Sequence, residues 1–252
     1  MALSIDLAGQ VVVITGGTKG VGRGIAQRFA DAGACIAVVA RSTPSDFPVD
    51  WYFVSADLRD PDAAFAAIDA VVAHFGRVDC VVNNAGGSPP VETATASPRL
   101  SERVVALNLL APLYVSQRAN FYMQQQETGG TIVNIGSVSA LRPSPTTAAY
   151  GAAKAGLMNL TTTLAVEWAP KVRVNAVTAG MIRTDNSHIF YGDEDGIARV
   201  GATIPLGRLA TPEEIGDVAV WLASPLASYV SGSNVLAHGG GERPAFLDAA
   251  KG

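Results

Sequence analysis

The sequence is poor in cysteine, in charge, and in any run that would mark a membrane or a nucleic acid as its partner. Two cysteines, Cys35 and Cys80, occur in 252 residues, each within a short apolar run. That pattern favours reduced core thiols of a cytosolic protein over a disulfide or a metal pair. No apolar run is long enough for a transmembrane helix. Met1 to Leu7 has neither a basic start nor a long apolar core, so no signal peptide is expected. Charged residues make up 16% of the chain, and the net charge is −4 with no basic run. This balance argues against nucleic acid and against an anionic membrane surface. Internal repeats and low-complexity segments are absent. What remains is a 48% hydrophobic chain, long enough for one large α/β domain or two small ones.

What is present is an alternation of buried strands and helices. Val11 to Ile14 is apolar and β-branched, as in a strand buried on both faces. A glycine turn follows, Thr15-Gly16-Gly17-Thr18-Lys19-Gly20-Val21-Gly22, and then a helical pattern through Ile25 and Phe29 to Gly33. Strand, glycine turn and helix open a βαβ unit. Its glycines let the backbone approach a pyrophosphate, and its helix N-terminus faces an anion. The reading favours dinucleotide binding over a plain turn. The second strand runs from Cys35 to Ala40. Its end holds Ala40 and Arg41 where an NAD-binding unit usually carries an acid. Arg41, with Lys19 nearby, suits a 2′-phosphate and favours NADP(H) over NAD(H).

Two prolines between Arg41 and Trp51 argue that a loop replaces the usual crossover helix. Trp51 to Ala56 reads as strand three, followed by Asp57-Leu58. Asp60-Pro61 then starts a helix that ends at Gly76, with His74 solvated near its end. Val78 to Val82 is strand four. Asn83-Asn84-Ala85-Gly86 behind it is either a loop whose backbone faces a cofactor or only a turn. Pro98 to Met123 reads as one long helix with Asn108 in its apolar stripe. A buried asparagine must be hydrogen-bonded, and it is either a helix-distorting core residue or a functional one.

Gly130 to Gly136 is strand five, with Ser137 at its carboxyl end, where sites of open α/β sheets form. Ala148 to Trp168 is a helix carrying Tyr150 and Lys154 on one face. An ammonium near a phenol favours the phenolate, which makes the pair a plausible proton relay. Val172 to Val177 is strand six. Met181 to Leu206 reads as polar and irregular, a lid over a site. Thr211-Pro212-Glu213-Glu214 begins a helix with a capping box, and Val235 to Ala237 is strand seven. The whole predicts one doubly wound, Rossmann-type parallel sheet of about seven strands, in a single domain with helices on both faces.

These motifs, in this order, resemble the short-chain dehydrogenase/reductase family over essentially the whole chain. The residues that carry the likeness are Thr15-Gly16-x3-Gly20-x-Gly22, Asp57, Asn83-Asn84-Ala85-Gly86, Asn108, Ser137 and Tyr150-x3-Lys154. Within the family the chain looks most like the 3-oxoacyl-carrier-protein-reductase-like branch.

The resemblance implies hydride transfer between a nicotinamide and a ketone or secondary alcohol, with catalytic Asn108, Ser137, Tyr150 and Lys154 and no metal. It implies cofactor contacts from Gly16, Thr18, Lys19, Gly20, Val21 and Gly22, from Arg41, Asp57 and Leu58, and from Asn84, Ala85 and Gly86. Tyr150, Lys154, Gly180, Ile182 and Thr184 complete that set. A cytoplasmic homotetramer or dimer is the corresponding assembly. An NAD-linked alcohol dehydrogenase and a non-catalytic NADP(H) sensor are the rival readings. One departure is Ala179-Gly180 where the family usually has Pro-Gly, which predicts a looser nicotinamide pocket. Lys171 and Arg173 offer at most a partial docking patch for an acidic carrier protein, so a small ketone, a steroid or a coenzyme A thioester is favoured. Arg142 and Arg183 are read as surface residues rather than as partners of an anionic substrate group.

Overall fold

A computed structural model describes residues 4–250, the side chain of Asp248 apart. Met1 to Leu3, part of the segment read as lacking a signal peptide, lie outside the described residues. Seven parallel strands form one sheet: β1 Val11–Thr15, β2 Cys35–Ala40, β3 Tyr52–Ser55, β4 Cys80–Asn83, β5 Gly130–Ser137, β6 Val172–Ala179 and β7 Asn234–Ala237. Their spatial order is β3-β2-β1-β4-β5-β6-β7. The order reverses between β1 and β4, and that switch point opens a crevice at the strands' carboxyl ends.

Period-two alternation splits the core in two. Val12 and Ile14 face one side, packing with Ile25 and Phe29 of α1 (Gly20–Asp31) and Ile215 and Leu222 of α8 (Pro212–Ala223). Val11 and Val13 face the other side. They pack with Ile68 and Val71 of α2 (Pro61–Phe75) and with Val115 and Met123 of α4 (Ala111–Met123). The expected caps are in place. Asp60 accepts from the Asp62 and Ala63 amides, Gly76 takes the left-handed C-cap, and Thr211 and Glu214 close a capping box.

No helix separates β2 from β3. The loop is held instead by aromatic contacts. Phe47 meets Trp51 and Phe53 edge-on at 6.0 and 5.6 Å, and the Arg23 guanidinium lies over the Trp51 ring at 4.7 Å.

Several expectations need correction. Cys80 is buried, but Cys35 is exposed. Cys35 is the first residue of β2. The two cysteines flank β1 on opposite sides, so no disulfide joins them. The long helix is not continuous. It runs as α3 (Pro98–Val105), a π turn (Ala106–Leu110) and then α4. The segment from Met181 to Leu206 is not irregular. It carries α6 (Ser187–Tyr191) and α7 (Glu194–Ala202), the latter capped by Asp193. Ala179 is not loose, because it pairs with Ser137 of β5 on one side and Ala237 of β7 on the other. The ladder fixes the backbone there without a proline.

Trp51 is 7% exposed and anchors the loop that stands in for a helix. Trp51→Ala is expected to cost about 3–5 kcal/mol of stability, as for other buried aromatics, read by urea denaturation.

Candidate active site

The crevice at the switch point is a cleft of about 810 Å³. It is built first on the turn after β1. Gly22 lies where a Cβ would fall 2.3 Å from the Gly16 carbonyl oxygen and 2.4 Å from Asn84 Nδ2, so no side chain fits. Asn84 Nδ2 donates to the Thr15 carbonyl at 2.9 Å. The Asn84 and Ala85 amides both donate to Thr15 Oγ1 at 3.0 Å. This staple joins the ends of β1 and β4 across the switch point. Its Thr15 half belongs to the glycine motif, but its role was not legible in the sequence. Asn83 turns the other way. Its side chain is buried among Ser116 and Asn134, at 2.8 Å from each.

Asn108 is fully buried, and it explains the π turn. Its Nδ2 donates to the Val104 carbonyl at 2.9 Å, the acceptor an α-helix would give to Asn108's own N–H. The side chain competes with the backbone, and the helix opens to an i−5 bond from the Ala111 amide to the Ala106 carbonyl. Nδ2 also donates to the Gly87 carbonyl at 3.0 Å, and Oδ1 accepts from the Gly87 amide at 2.9 Å. The helix-distorting alternative holds: Asn108 widens its helix and ties it to the loop after β4. It does not line the cleft.

Every other predicted site residue does. Gly16, Thr18, Lys19, Gly20, Val21 and Gly22 line it from the turn, and Arg41, Asp57 and Leu58 from the ends of β2 and β3. Asn84, Ala85 and Gly86 line its floor, and Gly180, Ile182 and Thr184 its far wall. Ser137, at the end of β5, meets Tyr150 and Lys154 there. The latter two sit one turn apart on α5 (Ala148–Glu167), whose spacing aims both at the crevice.

The sequence missed a third wall, made by Leu100, Arg103, Val104 and Leu107. Their spacing is that of one helix face, a signal that was available.

Lys154 is 3% exposed, and its Nζ donates to the Ile135 carbonyl at 2.8 Å. Burial pulls its pKa down to about 8. Tyr150 is pushed up by burial, against the opposing pull of the Ser137 hydroxyl. The expectation that the ammonium keeps the phenol acidic is thus corrected for the ligand-free chain. Nζ lies 5.8 Å from the Tyr150 ring centre, over the ring, and desolvation outweighs it. The phenol stays protonated at neutral pH, and the ammonium behind it titrates close to that range.

Charges elsewhere are sorted. Asp57 is held down at about 2, chiefly by hydrogen bonds from Arg59, with Arg41 adding a smaller pull. Arg183 gives Nη2 to both Glu194 oxygens at 2.8 Å, and Arg142 pairs with Glu242 at 2.7 Å. Among the described residues neither Arg41 nor Lys19 forms an ion pair with a carboxylate, and Arg41 acts on Asp57 only through its field.

The cleft fits a dinucleotide. The first turn of α1 has no side-chain cap, leaving its amides free for a phosphate. Gly20, at φ 52, would direct a Cβ into space where only Thr184 comes within 4 Å.

A family model described as Enoyl-(Acyl carrier protein) reductase matches residues 16–242. The 3β-hydroxysteroid dehydrogenase 1 of Eggerthella lenta is 35% identical, over 93% of this chain and 94% of its own. The chain belongs to the short-chain dehydrogenase/reductase family. The 2-dehydro-3-deoxy-D-gluconate 5-dehydrogenase of Escherichia coli is 32% identical, over 94% of this chain and 97% of its own. The ligand-free aldohexose dehydrogenase of Thermoplasma acidophilum superposes with a TM-score of 0.88 at 30% identity, covering 94% of this chain and 95% of that one. This member of the family is an NAD(P)-dependent oxidoreductase that interconverts secondary alcohols and ketones of small-molecule substrates. Among the described residues no helix is long and apolar enough to cross a membrane, and no group of three or more His, Cys, Asp or Glu is placed to hold a metal ion.

The Lys154 shift has a sign. Between pH 8 and 10.5 the unfolded chain binds more protons than the folded one, so stability contributed at this residue rises with pH across that window. A drop from 10.5 to about 8 corresponds to roughly 3 kcal/mol. The difference in unfolding free energy between wild type and Lys154→Met should move toward the wild type by up to that amount as pH rises from 8. A difference that stays flat with pH rejects a buried ammonium.

Proposed function

We propose that the protein is an NADP(H)-dependent reductase of uncharged ketones, or the reverse dehydrogenase, with Ser137, Tyr150 and Lys154 as its catalytic residues. The observation that carries this reading is the convergence of those three side chains with the glycine turn in one cleft. The dinucleotide supplies the hydride when bound. In reduction, Ser137 hydrogen-bonds the substrate oxygen while Tyr150 donates its proton to it. Lys154 holds the cofactor ribose and restores the Tyr150 proton, a role suited to a group titrating near 8. Asn108 acts as a positioning residue through Gly87 rather than by touching substrate.

The glycine turn, Arg41, the Asp57-Leu58 pair and the Asn84–Gly86 floor hold the adenosine and phosphates. Gly180, Ile182 and Thr184 hold the nicotinamide. NADP(H) is favoured because Arg41 and Lys19 lack ion-pair partners among the described residues, whereas Arg59 is already committed to Asp57.

An uncharged small substrate is favoured because Arg142 and Arg183 are both neutralised by carboxylates. A carrier protein is disfavoured. Lys171 is engaged with the Gln124 and Gln126 carbonyls, and Arg173 turns toward the Val230 carbonyl and Thr131. In the same proposal the segment 181–206 covers the substrate. A cytoplasmic dimer or tetramer forms through the faces of α4 and α5, where Phe121 and Val166 are exposed.

Tyr150→Phe should leave NADPH binding nearly intact and lower ketone turnover by about 10²–10⁴-fold. Retained turnover would reject the assignment. Arg41→Ala should weaken NADPH binding about 10- to 100-fold in a fluorescence titration while NADH affinity barely moves. Equal losses for both cofactors would argue for NAD(H) instead.

A further inference from the structure

The loop between β2 and β3 starts at the cleft and ends at a buried ring. Arg41 and Ser42, its first residues, line the crevice together with Lys19. Trp51, its last, is buried. Between them the chain folds back on itself. The Phe47 amide donates to the Pro44 carbonyl and the Trp51 amide to the Pro48 carbonyl, both at 3.3 Å. At its start the loop is held on β3, where Ser55 Oγ donates to the Arg41 carbonyl at 3.2 Å. Farther along, one residue ties it to the glycine turn. Arg23 stands in the first turn of α1, and its amide donates to the Lys19 carbonyl at 3.3 Å. Its guanidinium covers the Trp51 ring at 4.7 Å, and Nη2 donates to the Asp46 carbonyl at 3.3 Å. Arg23 itself does not line the cleft. Its Nη1 is buried, and among the described residues it has no hydrogen-bond partner. An unsatisfied charged donor costs free energy, and an apolar side chain of the same length would pack on Trp51 without that cost. What the guanidinium adds is a grip on two points of the loop at once, a ring face and a main-chain carbonyl.

We propose that Arg23 is a positioning residue for cofactor choice: by bracing the loop 42–50 on α1 it holds Arg41 in the geometry that receives a 2′-phosphate. This rests on the reading of the cleft as an NADP(H) site. Arg41 and Lys19 reach the cleft from two separate segments, and Arg23 is joined to both. It meets Lys19 through the main chain, and it meets the loop that begins at Arg41 through Asp46 and Trp51. A planar guanidinium binds a phosphate best when its fork is already aimed. In a loose loop Arg41 would lose conformational freedom at the moment of binding, and the contact would weaken. NADH carries no 2′-phosphate, so it draws nothing from that alignment.

The test titrates NADPH and NADH into the full chain, read by cofactor fluorescence. Arg23→Met keeps the apolar stem and removes the charge and the donors. It should weaken NADPH binding about 5- to 20-fold and leave NADH within about twofold. Arg23→Lys keeps a cation over the ring and should recover most of the NADPH affinity. In the Arg41→Ala background, Arg23→Met should weaken NADPH by no more than about twofold further, because the brace acts through Arg41. Trp51→Leu keeps an apolar anchor but removes the ring face, so it should show the same NADPH-selective loss, and it decides the matter if Arg23→Met does not fold. Equal losses for both cofactors mark a contact that serves stability alone and overturn the proposal. So do losses that add in the double variant, which would mean that Arg23 acts independently of Arg41. If Arg41→Ala alone weakens both cofactors equally, the NADP(H) reading fails first and the inference falls with it. If Arg41→Ala is selective and Arg23→Met is not, the inference fails by itself.

Discussion

Burying the Lys154 ammonium is the costliest electrostatic act in this fold, and the surrounding structure is arranged to hold it. A single neutral acceptor, the Ile135 carbonyl, faces the charge at 2.8 Å. β4 pairs with β5 only as far as Asn134, so from Ile135 onward β5 is flanked by β6 alone. One carbonyl does not replace a shell of water, so the charged form stays disfavoured. The result is an amine that gives and takes a proton near neutral pH, beneath a phenol that burial keeps protonated. Neither property belongs to the residue types. Both come from placing one helical turn of α5 against the carboxyl end of the central strands.

Holding that geometry requires the loops after β1, β4 and β5 to be rigid. Three polar contacts do this, each from a short side chain to backbone. Thr15 and Asn84 stitch β1 to β4, Asn108 fixes Gly87, and the Ser137 hydroxyl accepts from the Ser139 amide at 3.2 Å. Asparagine suits the first two because its amide donates and accepts in one plane. The cost at Asn108 is a widened helix turn. Its packing tolerates this because α3 and α4 continue on either side with their apolar faces intact.

The strands were legible because each is a short apolar run buried on both faces of a parallel sheet, and glycines and prolines mark their ends. The cap at Asp60 and the capping box at Thr211 were legible for the same reason: they are local. The π turn was not, since the Asn108 amide that takes the Val104 carbonyl from the helix is also held by a loop twenty-one residues earlier. Cys35 misled because an apolar neighbourhood in sequence does not reveal that it is the exposed first residue of its strand. The helices α6 and α7 were hidden by glycines that break the apolar period, although the Asp193 cap was a usable signal. The phenol's direction of shift was missed because spacing fixes which face two side chains share, not how deeply that face is buried.

Charge along the cleft is uneven, and the unevenness has a physical origin. Arg41 and Lys19 line one side of the cleft, and among the described residues neither forms an ion pair with a carboxylate. Outside the residues that line the cleft, Arg142 and Arg183 each meet a glutamate from a segment distant in sequence or one helix away. In the proposed reading, a ligand with a polyanionic half and a neutral half has its anionic end drawn to Arg41 and Lys19. In a molecule of net charge −4, a local excess of positive potential at one mouth of the cleft also selects which end enters first. Orientation by charge and orientation by hydrogen bonding then point the same way. In that proposed orientation the neutral half lies beside Ser137 and Tyr150, where burial sets the direction of the phenol's pKa.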